Sequence, residues 1–186
     1  MKPVLRNELL DHVTYTEKRA ELRPLALAAK APRRVCVGDF LVFLFENRDT
    51  VRYQVQEMMR VERIVKEKDI EHELETYNEL LGGPGELGST LLIGIDDEAE
   101  RDVKLSAWLQ LPKHLYAKLP DGTLVRPVFD DRQVGETRLS SVQYLRFPVG
   151  GVTPVAMGSD LPEHTVEVAL TDEQRAALEA DLRPDA

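Results

Sequence analysis

Residues 115–129, LYAKLPDGTLVRPVF, place two apolar-rich runs on either side of Pro120-Asp121-Gly122-Thr123. Proline presets φ at the first corner of a turn, aspartate hydrogen-bonds its own backbone, and glycine completes the reversal without steric cost. The segment therefore reads as a β-hairpin, with strands over Leu115–Leu119 and Leu124–Phe129. Strands joined this tightly run antiparallel, because a parallel pair needs a long crossover.

Downstream, Ser140–Phe147 and Thr165–Leu170 read as further strands, with Pro148–Pro162 as a surface loop between them. A last helix starts at Thr171, with Gln174 as its capping-box partner, and ends near Leu182. Upstream, Thr90–Ile95 is a short apolar strand, and Asp97–Leu109 a helix that half-buries Val103, Leu105, Ala107 and Trp108. Cys36–Phe45 reads as strand, apolar throughout its second half, with Gly38-Asp39 as a turn or bulge. Three helices complete the pattern. One begins near Thr14, with Glu17 as capping partner, and runs towards Lys30, with Pro24 expected to break or kink it. The second runs from Val51 to Glu67 on the stripe Val51, Val55, Met58, Val61 and Val65. The third uses Ile70, Leu74, Tyr77 and Leu81, and Gly82-Gly83-Pro84-Gly85 stops it. Strands and helices come in blocks, which predicts an α+β fold, a mainly antiparallel sheet packed with several helices in a single domain over 1–186.

A chain of 186 residues buries enough surface to fold without staples, and its single cysteine, Cys36, excludes an intrachain disulfide or a cysteine-based metal cage. Flanked by Val35 and Val37, Cys36 is expected to be buried. No apolar run exceeds the six residues Phe40–Phe45, far short of the roughly 20 that span a bilayer. With no apolar signal core over Met1–Leu10, a cytoplasmic location and no membrane are expected. The net charge of −9 speaks against DNA binding. Basic residues concentrate between 17 and 34, where Lys18, Arg19, Arg23, Lys30, Arg33 and Arg34 face only Glu17 and Glu21. That segment lacks the aromatic residues an RNA site would stack on.

Candidate binding residues centre on the second helix. At 100° per residue, Glu62 falls inside the apolar stripe and Gln54 at its edge. A carboxylate there is either ion-paired or a ligand-facing acid. Arg52, Gln56, Arg60 and Arg63 sit on the opposite face with Glu57 to one side, and the pairs Gln56/Arg60 and Glu57/Arg60 can touch, either as a solvated face or as the wall of a polar pocket or partner surface. Glu46 and Asn47 occupy the strand-to-helix loop, where helix N–H groups are unpaired, although Glu46 and Asp49 would repel phosphate. Arg33 and Arg34 can hold a carboxylate or phosphate, or pair with acidic helix residues. Asp69 and His72 imitate half of a di-iron motif, but no second copy exists and His72 is expected to be exposed. No catalytic residue is assigned, and neither a metal site nor a cofactor is expected. The alternative left open is an enzyme or metal site with a carboxylate, arginine and glutamine pocket around Glu62, drawing on Glu46, Gln54, Glu57 and Arg60.

The segments Arg33–Gly38, Phe45-Glu46-Asn47, Thr50, Tyr53–Met58 and Arg60-Val61-Glu62 resemble a bacterial family of uncharacterised domains. So do Glu73–Asn78, Thr90-Leu91 and Ser141–Phe147, so that the resemblance runs from about Tyr15 to Phe147. Genes of that family often neighbour those for rubrerythrin-like proteins and an iron–sulfur oxidoreductase of the heterodisulfide-reductase type. The resemblance thus implies a cytosolic accessory, or ligand- or partner-binding protein, of a redox or peroxide-defence system. Any redox centre would belong to the partner, and homo-oligomerisation is left open.

Overall fold

The structure is a computed structural model and describes residues 1–183. Its strands form two four-stranded antiparallel sheets. The first has the order β1-β2-β3-β6, from Arg34–Val37, Leu41–Phe45, Leu87–Ile93 and Val142–Phe147. The second has the order β5-β4-β7-β8, from Leu124–Val125, Leu115–Lys118, Ala156–Leu161 and His164–Ala169. The fold is α+β, as the hairpin and the block order require. In that hairpin the Asp121 carboxylate accepts from the Thr123 N–H at 2.9 Å, and the Gly122 N–H donates to the Leu119 carbonyl. After β5 the chain crosses to the first sheet, where Val128 pairs with Arg146 on β6. On the other side β1 touches β8, so the inner faces enclose one core. Phe43, Phe45 and Phe147 fill it from one side, and Leu115 and Met157 from the other.

The helices are α1 (His12–Lys30), α2 (Arg48–Val61), α3 (Glu67–Asn78), α4 (Glu98–Ala107), α5 (Leu111–His114) and α6 (Asp172–Asp181). Leu178 of α6 and Leu105 of α4 join the core between the sheets. A second apolar cluster joins α2 and α3 through Val51, Val55, Met59, Ile70 and Leu74, with Val4 and Leu9 of the N-terminal arm. The last helix carries the expected capping box between Thr171 and Gln174.

Several elements depart from expectation, each for a local reason. Cys36–Phe45 is two strands, because Gly38 adopts φ +62° and turns β1 back onto β2. Val35 and Val37 then face the core, which puts Cys36 on the exposed face rather than in the interior. The segment expected as a loop contains β7, paired on both sides by β4 and β8. Its sequence, AMGSDL, has no β-branched residue, so tertiary pairing rather than propensity makes it a strand. The cap of α1 is Asp11, whose carboxylate accepts from the Val13 and Thr14 N–H groups. The helix continues through Pro24 to Lys30, since the break falls on an exposed turn where water can replace the missing donor. In α4, Leu105 and Trp108 are buried, but Val103 and Ala107 are exposed.

Helix α2 ends at Val61 instead of Glu67. Glu62 is its C-cap and Arg63 takes φ 55°, letting the Ile64 N–H reach the Met59 carbonyl at 2.9 Å. Val61 and Val65 are exposed, so the apparent helical period merely runs on across the stop. Arg63→Gly is expected to raise stability by about 0.5–1 kcal/mol, because a left-handed position strains any residue with a Cβ. A higher urea midpoint with an unchanged slope checks it.

Candidate functional site

The nine candidate residues fall into several places rather than one. At the β2–α2 junction the Asn47 side chain accepts from the Thr50 N–H, and the Thr50 hydroxyl accepts from the Asn47 N–H, both at 2.9 Å. The Thr50 hydroxyl donates to one Glu46 oxygen at 2.6 Å, and Thr90 of β3 donates to the other at 3.1 Å. Gln56 is buried and serves the N-terminal arm. Its carbonyl accepts from the Leu10 N–H at 2.8 Å and its amide donates to the Leu10 carbonyl at 3.0 Å. Glu57 accepts from Arg19, from the Tyr15 phenol at 2.7 Å and from Arg60 at 3.3 Å, tying α2 to α1. These donors, Arg19 first, hold its carboxyl at about 2, while burial and the same carboxylate push the Tyr15 phenol well above its ordinary range. Arg33 pairs with Asp181 of α6, and Arg34 is exposed.

Glu62 does not lie in an apolar stripe, because it stands exposed beyond the last turn of α2. The residues expected to share a pocket with it are therefore dispersed, with Glu46 at the helix start and Glu57 and Arg60 facing α1. His72 is exposed, as its position on the third helix predicts. Among the described residues, no group of three or more His, Cys, Asp and Glu side chains is placed to hold a metal ion.

Gln54 and Glu62 both act on the phenol of Tyr77 near the end of α3, and Tyr77 lines a cleft. This cleft encloses about 820 Å³. One wall is the C-terminal end of α3 with the turn that follows it, and the other is β6 with the segment 128–133. The turn lies close to β3 because Gly88 has no side chain; a Cβ there would stand 1.8 Å from the Leu80 carbonyl oxygen. Opposite, the Gln133 side chain acts as a short neighbouring strand. Its carbonyl accepts from the Tyr144 N–H at 2.6 Å, and its amide donates to the Tyr144 carbonyl at 3.2 Å. This fixes Tyr144 and satisfies the edge of β6.

Three rings line the cleft: half-buried Tyr77 and Phe129, and Tyr144, which is 48% exposed. Burial raises the pKa of the Tyr77 phenol, the charges of Glu73 and Glu62 add to the rise, and a hydrogen bond with the Gln54 side chain opposes it. Asp130 on the rim is paired with Arg132, whose side chain holds its carboxyl at about 2. Arg146 stands 3.7 Å from Glu86. Tyr77 and Tyr144 both lie in segments that carry the family resemblance, yet their types and spacing name no chemistry. Phe129, Asp130 and Gln133 were missed as site residues. The one usable signal was the outward alternation of Val142, Tyr144 and Arg146 on β6, which puts a large ring on a surface.

The fold is that of a small α+β protein with a concave surface lined by three aromatic rings. The chain belongs to the family described as "Protein of unknown function (DUF3501)", whose model matches residues 3–182. It is similar to a solved crystal structure described as a novel protein of unknown function from Burkholderia pseudomallei K96243. The two are 27% identical, the match covers 98% of this chain and 100% of the other, and the TM-score is 0.89. No curated protein matches the chain.

Proposed function

We propose that this protein is a non-catalytic, cytosolic accessory of a redox or peroxide-defence system, without a redox centre of its own, and that it engages its partner through the cleft between α3 and β6. The observation that supports this reading is the contrast between the cleft and the rest of the polar residues. Glu46, Gln56, Glu57 and Arg33 are engaged in contacts within the fold, whereas Tyr144 presents an exposed ring beside an open concavity. Aromatic side chains with one wet face are the usual anchors of protein interfaces. The partner favoured by the family's gene neighbourhood is an iron–sulfur oxidoreductase or a rubrerythrin-like protein.

The test is co-expression with the neighbouring iron–sulfur protein, followed by size-exclusion chromatography at micromolar concentration. Co-elution is expected, with affinity falling at least about tenfold in Tyr144→Ala. Because Tyr144 is half exposed, this variant should keep the melting temperature of the parent. Separate elution of the two parent proteins would overturn the proposal.

A further inference from the structure

We propose that His164 is the sensor of an acid switch that frees helix α4 from the junction between the two sheets. The ring stands at the start of β8, and two other elements pack against it. Trp108, the C-cap of α4, stacks on it with centroids 4.7 Å apart and planes 25° apart, and Phe40 of the β1–β2 turn lies at 5.8 Å. A Cβ on Gly38 of the same turn would stand 3.7 Å from the imidazole Cε1. His164 Nε2 is buried without a hydrogen-bond partner. A neutral ring tolerates this, because Nε2 can be the bare nitrogen while Nδ1 carries the proton. An imidazolium does not, because its Nε2–H would be a buried donor with nothing to receive it.

The charges around the ring act unequally. Lys104 of α4 holds its ammonium over the Phe40 and Trp108 rings, 4.7 and 5.2 Å from their centroids, and opposes a second cation there. Glu100 stands 3.5 Å from that ammonium, on the solvent side of α4. Asp39 in the β1–β2 turn favours the charged ring, but burial and Lys104 together outweigh it and lower the His164 pKa. As the pH falls below the ordinary 6.5, the unfolded chain therefore takes up this proton before the folded one, and the native cluster loses stability from there downwards. The charged ring escapes both penalties by leaving the stack for water, and α4 then loses its tie to β8. Loosening of α4 reaches the wall of the cleft. The Leu105 carbonyl accepts from the Leu139 N–H at 2.9 Å, Asp102 pairs with Arg138 at 2.8 Å, and Leu139 bridges to Val134, next to the Gln133 that fixes Tyr144.

The experiment titrates the full chain, following the histidine rings by NMR and Trp108 by its fluorescence. Trp108 is the single tryptophan and is 3% exposed, so its emission reports on this cluster alone. His164 is expected to titrate below 6.5, with a red shift of the Trp108 emission and a fall of about tenfold in the exchange protection of the Leu139 amide in the same step. Lys104→Met should move the midpoint to higher pH and Asp39→Asn to lower pH, shifts that a purely structural histidine would not couple to the emission. His164→Phe keeps a ring that cannot be charged and should abolish the step while retaining the melting temperature at neutral pH. Should that variant not fold, the opposite shifts in Lys104→Met and Asp39→Asn decide. Titration of His164 at or above 6.5 would overturn the proposal, as would Trp108 emission that stays constant through it or a step that survives in His164→Phe. A Trp108 response with unchanged protection at Leu139 would overturn the link to the cleft.

Discussion

Arg33→Met is expected to destabilise the protein by about 3–5 kcal/mol, because it strands a buried carboxylate. The Arg33 guanidinium donates to both Asp181 oxygens, at 2.7 and 2.8 Å, and to the Ala29 carbonyl at 2.7 Å. The two side chains are only 11% and 6% exposed, so neither charge has water to fall back on. The pair joins the end of α1 to the last turn of α6, elements far apart in sequence. Helix α6 in turn covers the core between the sheets with Leu178, so its release would open that core. Asp181→Leu alone should cost a similar amount, since it leaves the guanidinium unpaired. The double variant Arg33→Met/Asp181→Leu should recover most of the loss, because a desolvated ion pair is worth little more than apolar residues of similar size. Urea unfolding of the four proteins gives the coupling energy directly. Additive single losses would mean that the two residues act independently and that the bidentate contact contributes nothing.

This pair also illustrates what the sequence could carry. Arg33 was legible as an arginine able to grip a carboxylate, but nothing in its neighbourhood identifies a partner near the other end of the chain. The elements whose signals are local were legible: the Pro-Asp-Gly turn and the Thr171 cap stand where their residues place them, although the hairpin's second strand stops at Val125 rather than Phe129 and the third helix at Asn78, short of Leu81. Elements decided by distant pairing were not. Strand β7 lacks β-forming residues and exists because β4 and β8 flank it. The cleft is the extreme case, since it takes one wall from α3 and the other from β6 and the 128–133 segment. Only the register between β3 and β6, and the close approach allowed by Gly88, bring those walls together. Glu62 misled for the converse reason. Its position on a helical wheel was sound arithmetic, but Arg63 ends the helix before the wheel applies.

Replacing Glu57 should produce the second large loss, with a pH signature that separates charge from shape. Glu57→Ala removes the acceptor for the Tyr15 phenol and the Arg19 and Arg60 guanidinium groups, and should cost about 2–3 kcal/mol at neutral pH. Arg60 Nε is already buried without a partner, so the Arg60 side chain has little other solvation to gain. Glu57→Gln keeps the shape and can still accept from Tyr15, so its loss should be smaller. The folded carboxyl titrates at about 2 against an ordinary 4.5, which means that the unfolded chain binds more protons between these values. The contribution is therefore fully present above about 4.5 and is lost as the pH falls towards 2. Asp130 and Asp160, also held near 2, lose stability over a similar range, but they do so equally in parent and variant. The difference in melting temperature between the parent and Glu57→Gln should thus be constant from neutrality to about 4.5 and close progressively below it. A gap that persists to the acid end would assign the loss to packing of the amide rather than to the missing charge, and the ionic tie between α1 and α2 would have to be given up.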